Sequence, residues 1–393
     1  LVYQFLDRFN LVISKNREDN ADSLVNLKAF MLKNYDIYAG YASFFTAGFT
    51  IAAWAPLIPF VNDALQVGPM QFGMLLLMLG VGSVLGMPLA GWLSSRLGSR
   101  LAIALSGYSS CFVLVLLAWA PSSLGCLEGS SNLYGAALEK NRHSRQMSGM
   151  HAFYSIGEVA AAICVSLALS LGFDMWSTTA FWMLALSLIL SIALPHVSSV
   201  SLVSEQSAPF ALPKGPVIML AGLCAVVFLA EGAMLDWSAL FLQEHINVPL
   251  EHAGVGYTVF VIAMAIARLV GDRIVTQFGA VRVVWGGAAL MVGALTSMVM
   301  IPTLPVSLIS LFAMGLGIAN VAPLIISAAS RQKRMPALPA VTAVTTIGYF
   351  GLMAGPAILG VISEYTSIAM AFLFIAALLT LAAWWTRSVR YCL

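Results

Sequence analysis

Charge is what this chain lacks. Only 9% of its 393 residues are Asp, Glu, Lys or Arg, against about 25% in a soluble domain. With 60% hydrophobic residues and a mean hydropathy of +0.91, it cannot clothe a water-soluble surface. An excess of one sign is missing too. The formal net charge is +2, which gives no reason to expect nucleic acid as a partner. Cysteine is scarce and scattered. Cys111, Cys126, Cys164, Cys224 and Cys392 have no CxxC spacing, so neither a disulfide framework nor a zinc site is expected. There is no H-E-x-x-H pair, nucleophile elbow or phosphate-binding loop. The expectation is a protein that is not an enzyme and uses no metal and no cofactor.

Long apolar runs are what it has instead. Segments of about 18 residues or more, each able to cross a bilayer as a helix, recur along the chain. The first set is Tyr38 to Val61, Gln71 to Leu93, Leu101 to Ala120, Ser122 to Leu138, Ser148 to Gly172 and Met175 to Pro195. A Ser-rich linker over 196–215 follows. The second set is Pro216 to Leu242, Ala253 to Gly271, Val283 to Ile301, Val306 to Ala329, Pro339 to Ser363 and Ser367 to Trp385. The segment 1–37 carries five basic and five acidic residues up to Asp36 and reads as a cytosolic tail, as does 387–393 at the other end. The expectation is an all-α membrane protein with halves at 38–195 and 216–386.

Basic residues orient the spans. With the N-terminus in the cytosol, 18 of the 19 Lys and Arg fall in the tails, the linker and the loops after spans two, four, eight and ten. The last, Arg268, is assigned to the cytosolic end of span eight. Asp63, Asp174, Glu244, Glu251 and Glu364 fall outside. The same count decides the weak fourth span, "SSLGCLEGSSNLYGAALEK". Without a crossing there, every later loop changes side, and Arg331, Lys333 and Arg334 lie outside. The fourth span is therefore expected, but shortened or incomplete, with a break near Ser122 to Gly125.

The halves echo one another. "GWLSSRLGSR" after span two matches "GDRIVTQFGAVR" after span eight. Trp54 near the end of span one pairs with Trp237 in span seven. "LGCLE" parallels "LGIAN", pairing Glu128 with Asn320, and "YSIGE" parallels "TTIGY", pairing Glu158 with Tyr349. Four matches in register indicate a duplicated six-helix unit.

The loop formed by Gly91, Leu93, Arg96, Gly98 and Arg100 resembles the signature between spans two and three of the major facilitator superfamily. Ser95 stands where that family usually has Asp. Asp272 and Arg273 offer a comparable charge pair in the second half. "HAFYSIGE", "AEGAMLDWSALFL" and "VTAVTTIGYFGLMAGPAILG" are similar to the MosC/YbjJ-like bacterial inner-membrane branch. The resemblance implies a twelve-span fold of two six-helix halves, gating loops around Gly91, Arg96, Gly98, Arg100, Asp272 and Arg273, and multi-pass residence in the inner membrane with both termini cytosolic.

Carboxylates inside lipid point to function, because an ionisable residue at mid-membrane costs at least about 2.5–3.5 kcal/mol and usually faces a bundle interior or a wet cavity. Glu231 lies about 22 Å along span seven from Pro216. Trp54, Asn320 and Tyr349 are its expected neighbours in a central cavity. Asp236, five residues on, points about 140° away. With Trp237 it reads as an interfacial pair. His151, Tyr154 and Glu158 share one face of span five, and Glu128 and Asn132 one face of span four. Each set suits a substrate, proton or gate site as well as a structural hydrogen-bond network. Pro56 and Pro59 are expected to break span one, and Gly355-Pro356 span eleven.

Together these readings describe a secondary transporter working by alternating access as a monomer in a lipid bilayer. It would move a small-molecule solute of sugar or polyol type with protons. Efflux of an amphipathic compound, and a non-transporting sensor or degenerate transporter, are the alternatives. Span five lacks the Gly-Pro pair that the superfamily's drug exporters usually carry, which weighs against the first of these.

Overall fold

A computed structural model describes residues 35–113, 120–142, 147–197 and 212–389. The expected N-terminal tail, central linker and C-terminal tail lie largely outside them. All regular structure among the described residues is helical. The first half comprises α1 (Tyr35–Ala52), α2 (Trp54–Leu65), α3 (Pro69–Val113), α4 (Ala120–Arg142), α5 (Met147–Ser170) and α6 (Met175–Ala193). The second comprises α7 (Pro216–Ile246), α8 (Val255–Phe278), α9 (Ala280–Met300), α10 (Leu304–Ile318), α11 (Val321–Arg331), α12 (Ala337–Tyr365) and α13 (Ile368–Val389). Ten segments among the described residues are long and apolar enough to cross a membrane.

Proline sets where the long spans break. Pro has no N–H and its ring clashes with the carbonyl four residues back. Pro56 faces the carbonyl of Ala52 in this way, and the first span breaks at Ala53 between α1 and α2. Pro323 does the same to Ala319, and the tenth span breaks between α10 and α11. Hydropathy alone does not reveal that second break, although Pro323 advertises it. The break expected at Gly355-Pro356 does not occur. The α12 helix runs from Ala337 to Tyr365 with Pro356 inside it.

The fourth span is also a correction. The α4 helix is continuous over 23 residues, about 34 Å at 1.5 Å per residue, and residues 122–125 lie within it. It is short of apolar side chains rather than of length. Ser130 and Ser131 are buried, and α4 lies along α3 in one of the molecule's most extensive helix pairings. Residues 114–119, which join the two, lie outside the described residues.

The duplication is visible in the backbone. Gly98, inside α3, has φ 79° and ψ 160°, and two helices meet there. Gly279, between α8 and α9, has φ 81° and ψ 150°. Only glycine takes this conformation readily. Two residues past Gly98, Arg100 donates from Nε to the Val197 carbonyl (2.9 Å) and from Nη2 to that of Pro195 (2.9 Å). These carbonyls close the C-terminal end of α6, where the helix dipole is negative. Arg96 and Arg273 are exposed, and the Ser95 hydroxyl bonds back to the Trp92 carbonyl. Gly91 has open space around it. The Asp272 side chain lies outside what is described.

The halves meet at the end of the molecule where α2 turns into α3. There Glu364, near the end of α12, accepts from the Met70 N–H at the start of α3 (3.3 Å). In a second pairing of the halves, Thr258 of α8 donates to the Ala162 carbonyl of α5 (2.9 Å), and Ser170 donates to the Glu251 carbonyl (3.1 Å). Gly73 of α3 lies against α12, so a Cβ there would sit 2.4 Å from the Pro356 carbonyl oxygen. At the other end, the polar contacts of Arg100 and of Lys214, whose N–H meets the Met335 sulfur, stay within one half or its linker.

This geometry predicts two different outcomes for two glycines. Gly73→Val forces the halves apart, since backbone atoms cannot yield. A Thr258→Cys thiol in that background should react faster with a membrane-impermeant maleimide added on the seam side. Gly351→Ala clashes within one half, 2.2 Å from the Ala225 carbonyl oxygen. It should lower the melting temperature without exposing that thiol, at a cost of about 1–3 kcal/mol.

Candidate functional site

Two glycines place the key polar side chains. Gly157 of "IGE" lies against α1, with its Cβ position 2.3 Å from the Phe45 carbonyl oxygen. Gly348 of "IGY" lies against α7, at Cys224 and Phe228. Close approach at equivalent points of each half turns the next residues, Glu158 and Tyr349, into corresponding places. Glu158 is buried, and Tyr349 packs edge-on against Phe228 with ring centroids 5.4 Å apart.

The centre of the site is an arginine. Arg268 stands 13 residues into α8, about 20 Å from its start. Its Nη2 donates to Glu231 Oε1 at 3.2 Å. Its Nη1 lies 4.0 Å from Glu158 Oε2. Glu231 is on α7, in the same half as Arg268, whereas Glu158 is on α5, in the other. The arginine therefore clasps a carboxylate of its own half and faces one across the divide. Arg268 keeps a side chain 37% exposed while meeting carboxylates on helices of both halves. Glu158 Oε2 is buried and accepts no hydrogen bond.

Arg268 is the candidate residue that charge counting passes over. It lies near the end of the apolar span Leu250–Gly271, as that count expects, but its side chain turns to Glu231 and Glu158, and 18 basic residues carry the orientation argument without it. Its place inside an apolar run is the available signal, since an intramembrane Arg needs a partner there.

The other expected residues divide. His151 is exposed with its ring edge on Phe44 (5.2 Å), while Tyr154 is half-buried on the same face of α5 as Glu158. Tyr257 of α8 is buried, and the charges of Glu158, Glu231, Asp236 and Arg268 all act on its phenol. Asn132 donates its side-chain N–H to the Glu128 carbonyl, one turn back on α4 (3.0 Å). Asn320 does not turn to Glu231. Its Nδ2 donates to the Ala267 carbonyl (3.1 Å), tying the broken tenth span to α8 beside Arg268. Trp54 opens α2 with its indole N–H buried and without a hydrogen-bond partner. Trp237 does not present its ring to the outside of the bundle. It is 2% exposed and packs edge-on against Phe72 of the opposite half at 6.4 Å. Asp236, one residue earlier, is half-buried within α7, ten residues before its end, and caps no helix terminus. No group of three or more His, Cys, Asp or Glu among the described residues could hold a metal ion.

The clasp makes a directional prediction. Arg268→Met leaves two carboxylates without their cation and should destabilise the protein by about 1–3 kcal/mol, moderated by water in the cavity. Adding Glu231→Gln should restore part of the loss, because it removes a charge left unpaired. Melting temperatures of the single and double variants test the coupling; additive losses would dissolve it.

The Major Facilitator Superfamily sequence model matches residues 40–334. An uncharacterized MFS-type transporter of Yersinia pestis is 36% identical over 360 residues, covering 88% of this chain and 94% of that one. The membrane protein MosC of Rhizobium meliloti is 28% identical over 360 residues, covering 88% of each. Among solved structures, the nucleoside transporter NupG superposes with a TM-score of 0.70 at 16% identity, over 89% of this chain and 98% of that one. An inward-facing, occupied bacterial homolog of the human lysosomal transporter Spinster gives 0.67 at 13% identity, over 92% and 98%. With its paired helical halves, interior charge clasp and family match over most of its length, the chain belongs to the Major Facilitator Superfamily.

Proposed function

We propose that the protein is a proton-coupled secondary transporter that carries a small polar solute of sugar or polyol type by alternating access. The single observation that carries this reading is the Arg268 clasp. One guanidinium faces two carboxylates, so one negative charge is in excess. In a low-dielectric interior that excess is costly, and a proton removes it. Glu231 already has a hydrogen bond to the cation, whereas Glu158 Oε2 has none. Glu158 is therefore the better seat for the transported proton, and Glu231 the anchor that keeps Arg268 in its own half.

The clasp also supplies the coupling. Rocking the halves about the seam at Gly73 and Thr258 changes the separation of Glu158 from Arg268, because they belong to different halves. An ionised Glu158 holds the halves together through Arg268, and a protonated one lets them part. The seam end corresponds to the outside if the basic loops are cytosolic, so the described state opens inward. The same charge placement supports an inner-membrane location with both termini in the cytosol. All three members of the clasp come from one chain, which is compatible with a monomer as the working unit. The aromatic side chains around the clasp suit a polyhydroxylated ring. A nucleoside, the kind of solute for which the structural neighbour NupG is named, also carries a sugar and falls within that class.

Glu158→Gln mimics the permanently protonated state. In proteoliposomes it should keep solute-for-solute exchange and lose accumulation driven by a pH gradient. Glu231→Gln should slow both, since Arg268 then turns to Glu158. Full accumulation by the Glu158 variant would remove that residue from coupling.

A further inference from the structure

Asn320 stands where the tenth span breaks, at the N-cap of α11, with φ −107° and ψ −5°. Asparagine is among the best capping residues, because its side-chain oxygen accepts from the second or third N–H of its own helix. Here the third position is Pro323, which has no N–H, and the Asn320 side chain makes no capping bond to α11. It turns to another helix instead. Its Nδ2 donates to the Ala267 carbonyl of α8 at 3.1 Å. Its Oδ1 lies against Gly271, where a Cβ would stand 2.1 Å from that oxygen. Ala267 and Gly271 are about one turn apart, so the amide lies along a single turn of α8. Arg268 is carried by that turn.

The two parts of the broken span are held differently. The α10 helix packs on α8 and α9. It does so through backbone: a Cβ at Gly315 would lie 2.3 Å from the Phe260 carbonyl oxygen, and one at Gly287 would lie 2.5 Å from that of Gly317. The α11 helix packs on α12 and α7 instead. Pro323 leaves the Ala319 carbonyl without its helical N–H, so the span can bend there without giving up that bond. One part is clamped, the other is jointed to it, and the residue at the joint grips the turn that carries the arginine.

We propose that Asn320 is a positioning residue that links the Arg268 clasp to the break, so that the charge of Glu158 sets the angle of α11. This rests on the transporter reading and deepens it. An ionised Glu158 draws Arg268, and with it the turn from Ala267 to Gly271, toward the first half. Asn320 passes that pull to the head of α11, which closes over the end of the molecule away from the seam. A protonated Glu158 releases the pull, and α11 swings clear while α10 stays in place.

The test cuts the link and leaves both ends intact, on the full-length protein in detergent. Ser327→Cys puts a thiol on α11, and mass spectrometry follows its rate of maleimide labelling at that residue. Adding Glu158→Gln should raise the rate about threefold. In an Asn320→Ala background the same addition should leave the rate unchanged. Gly271→Ala should act as Asn320→Ala does, since its methyl meets only the movable end of the Asn320 side chain and displaces it. Gly286→Ala on α9, where a Cβ has open space, should keep the response. An Asn320 that only stabilises the fold predicts a lower melting temperature with the response intact. A response that survives Asn320→Ala or Gly271→Ala, or no response with Asn320 in place, overturns the proposal. If Asn320→Ala does not fold, Gly271→Ala decides. A response that Asn320→Ala abolishes, in a protein that moves no solute in proteoliposomes, would instead sink the transporter reading and leave the link standing.

Discussion

An arginine in the middle of a membrane helix has to be satisfied locally, and the rest of this structure is arranged around that demand. Arg268 projects from α8 toward Glu231 of its own half and Glu158 of the other. An arginine held only within one half would add stability and nothing more. One held between halves makes their separation an electrostatic event. The glycines of "IGE" and "IGY", the proline break ahead of α11 and the Asn320 bond to α8 all fix the helices that carry or flank this group.

The seam supplies the complementary half of the design. At one end of the molecule backbone approaches backbone, and the polar contacts there are hydroxyls and main-chain groups without full charges, apart from Glu364 of α12, which accepts from Met70 at the start of α3. Such an interface can part and re-form without stranding a charge in lipid. The charges of the Arg268 clasp stand apart from these contacts, between helices of both halves, where parting the halves changes their separation. The duplicated backbone at Gly98 and Gly279 gives each half the same rigid turn on the far side from the seam.

Much of this is legible in the sequence, for physical reasons. Hydrocarbon runs have to be long enough to span a bilayer, so the helices follow from composition, while the side on which the basic residues lie remains an expectation from charge. Glu231 and Glu158 stand out because a carboxylate in such a run needs explaining. Their partner does not stand out, because Arg268 can be counted as one more loop charge. Trp237 looks interfacial because tryptophan usually is, and only the packing of Phe72 from the other half shows it to be buried. Pro356 looks like a break because proline removes one hydrogen bond, yet α12 runs on through it, backed by α3 and α7. Pairings across the halves are tertiary facts, and no local pattern encodes them.

The polarity of α4 has a consequence for how the chain enters the membrane. With serines, Glu128 and Asn132 along its length, this helix gains little by leaving water for lipid on its own. Its companion α3 is far more apolar and lies along it. Insertion of α4 therefore depends on α3 already being at hand, so that the two enter as a pair rather than one after the other. Biogenesis of the first half then hinges on a contact between neighbours in sequence. Glu128 is carried into the bilayer by a helix that gains little from entering it alone.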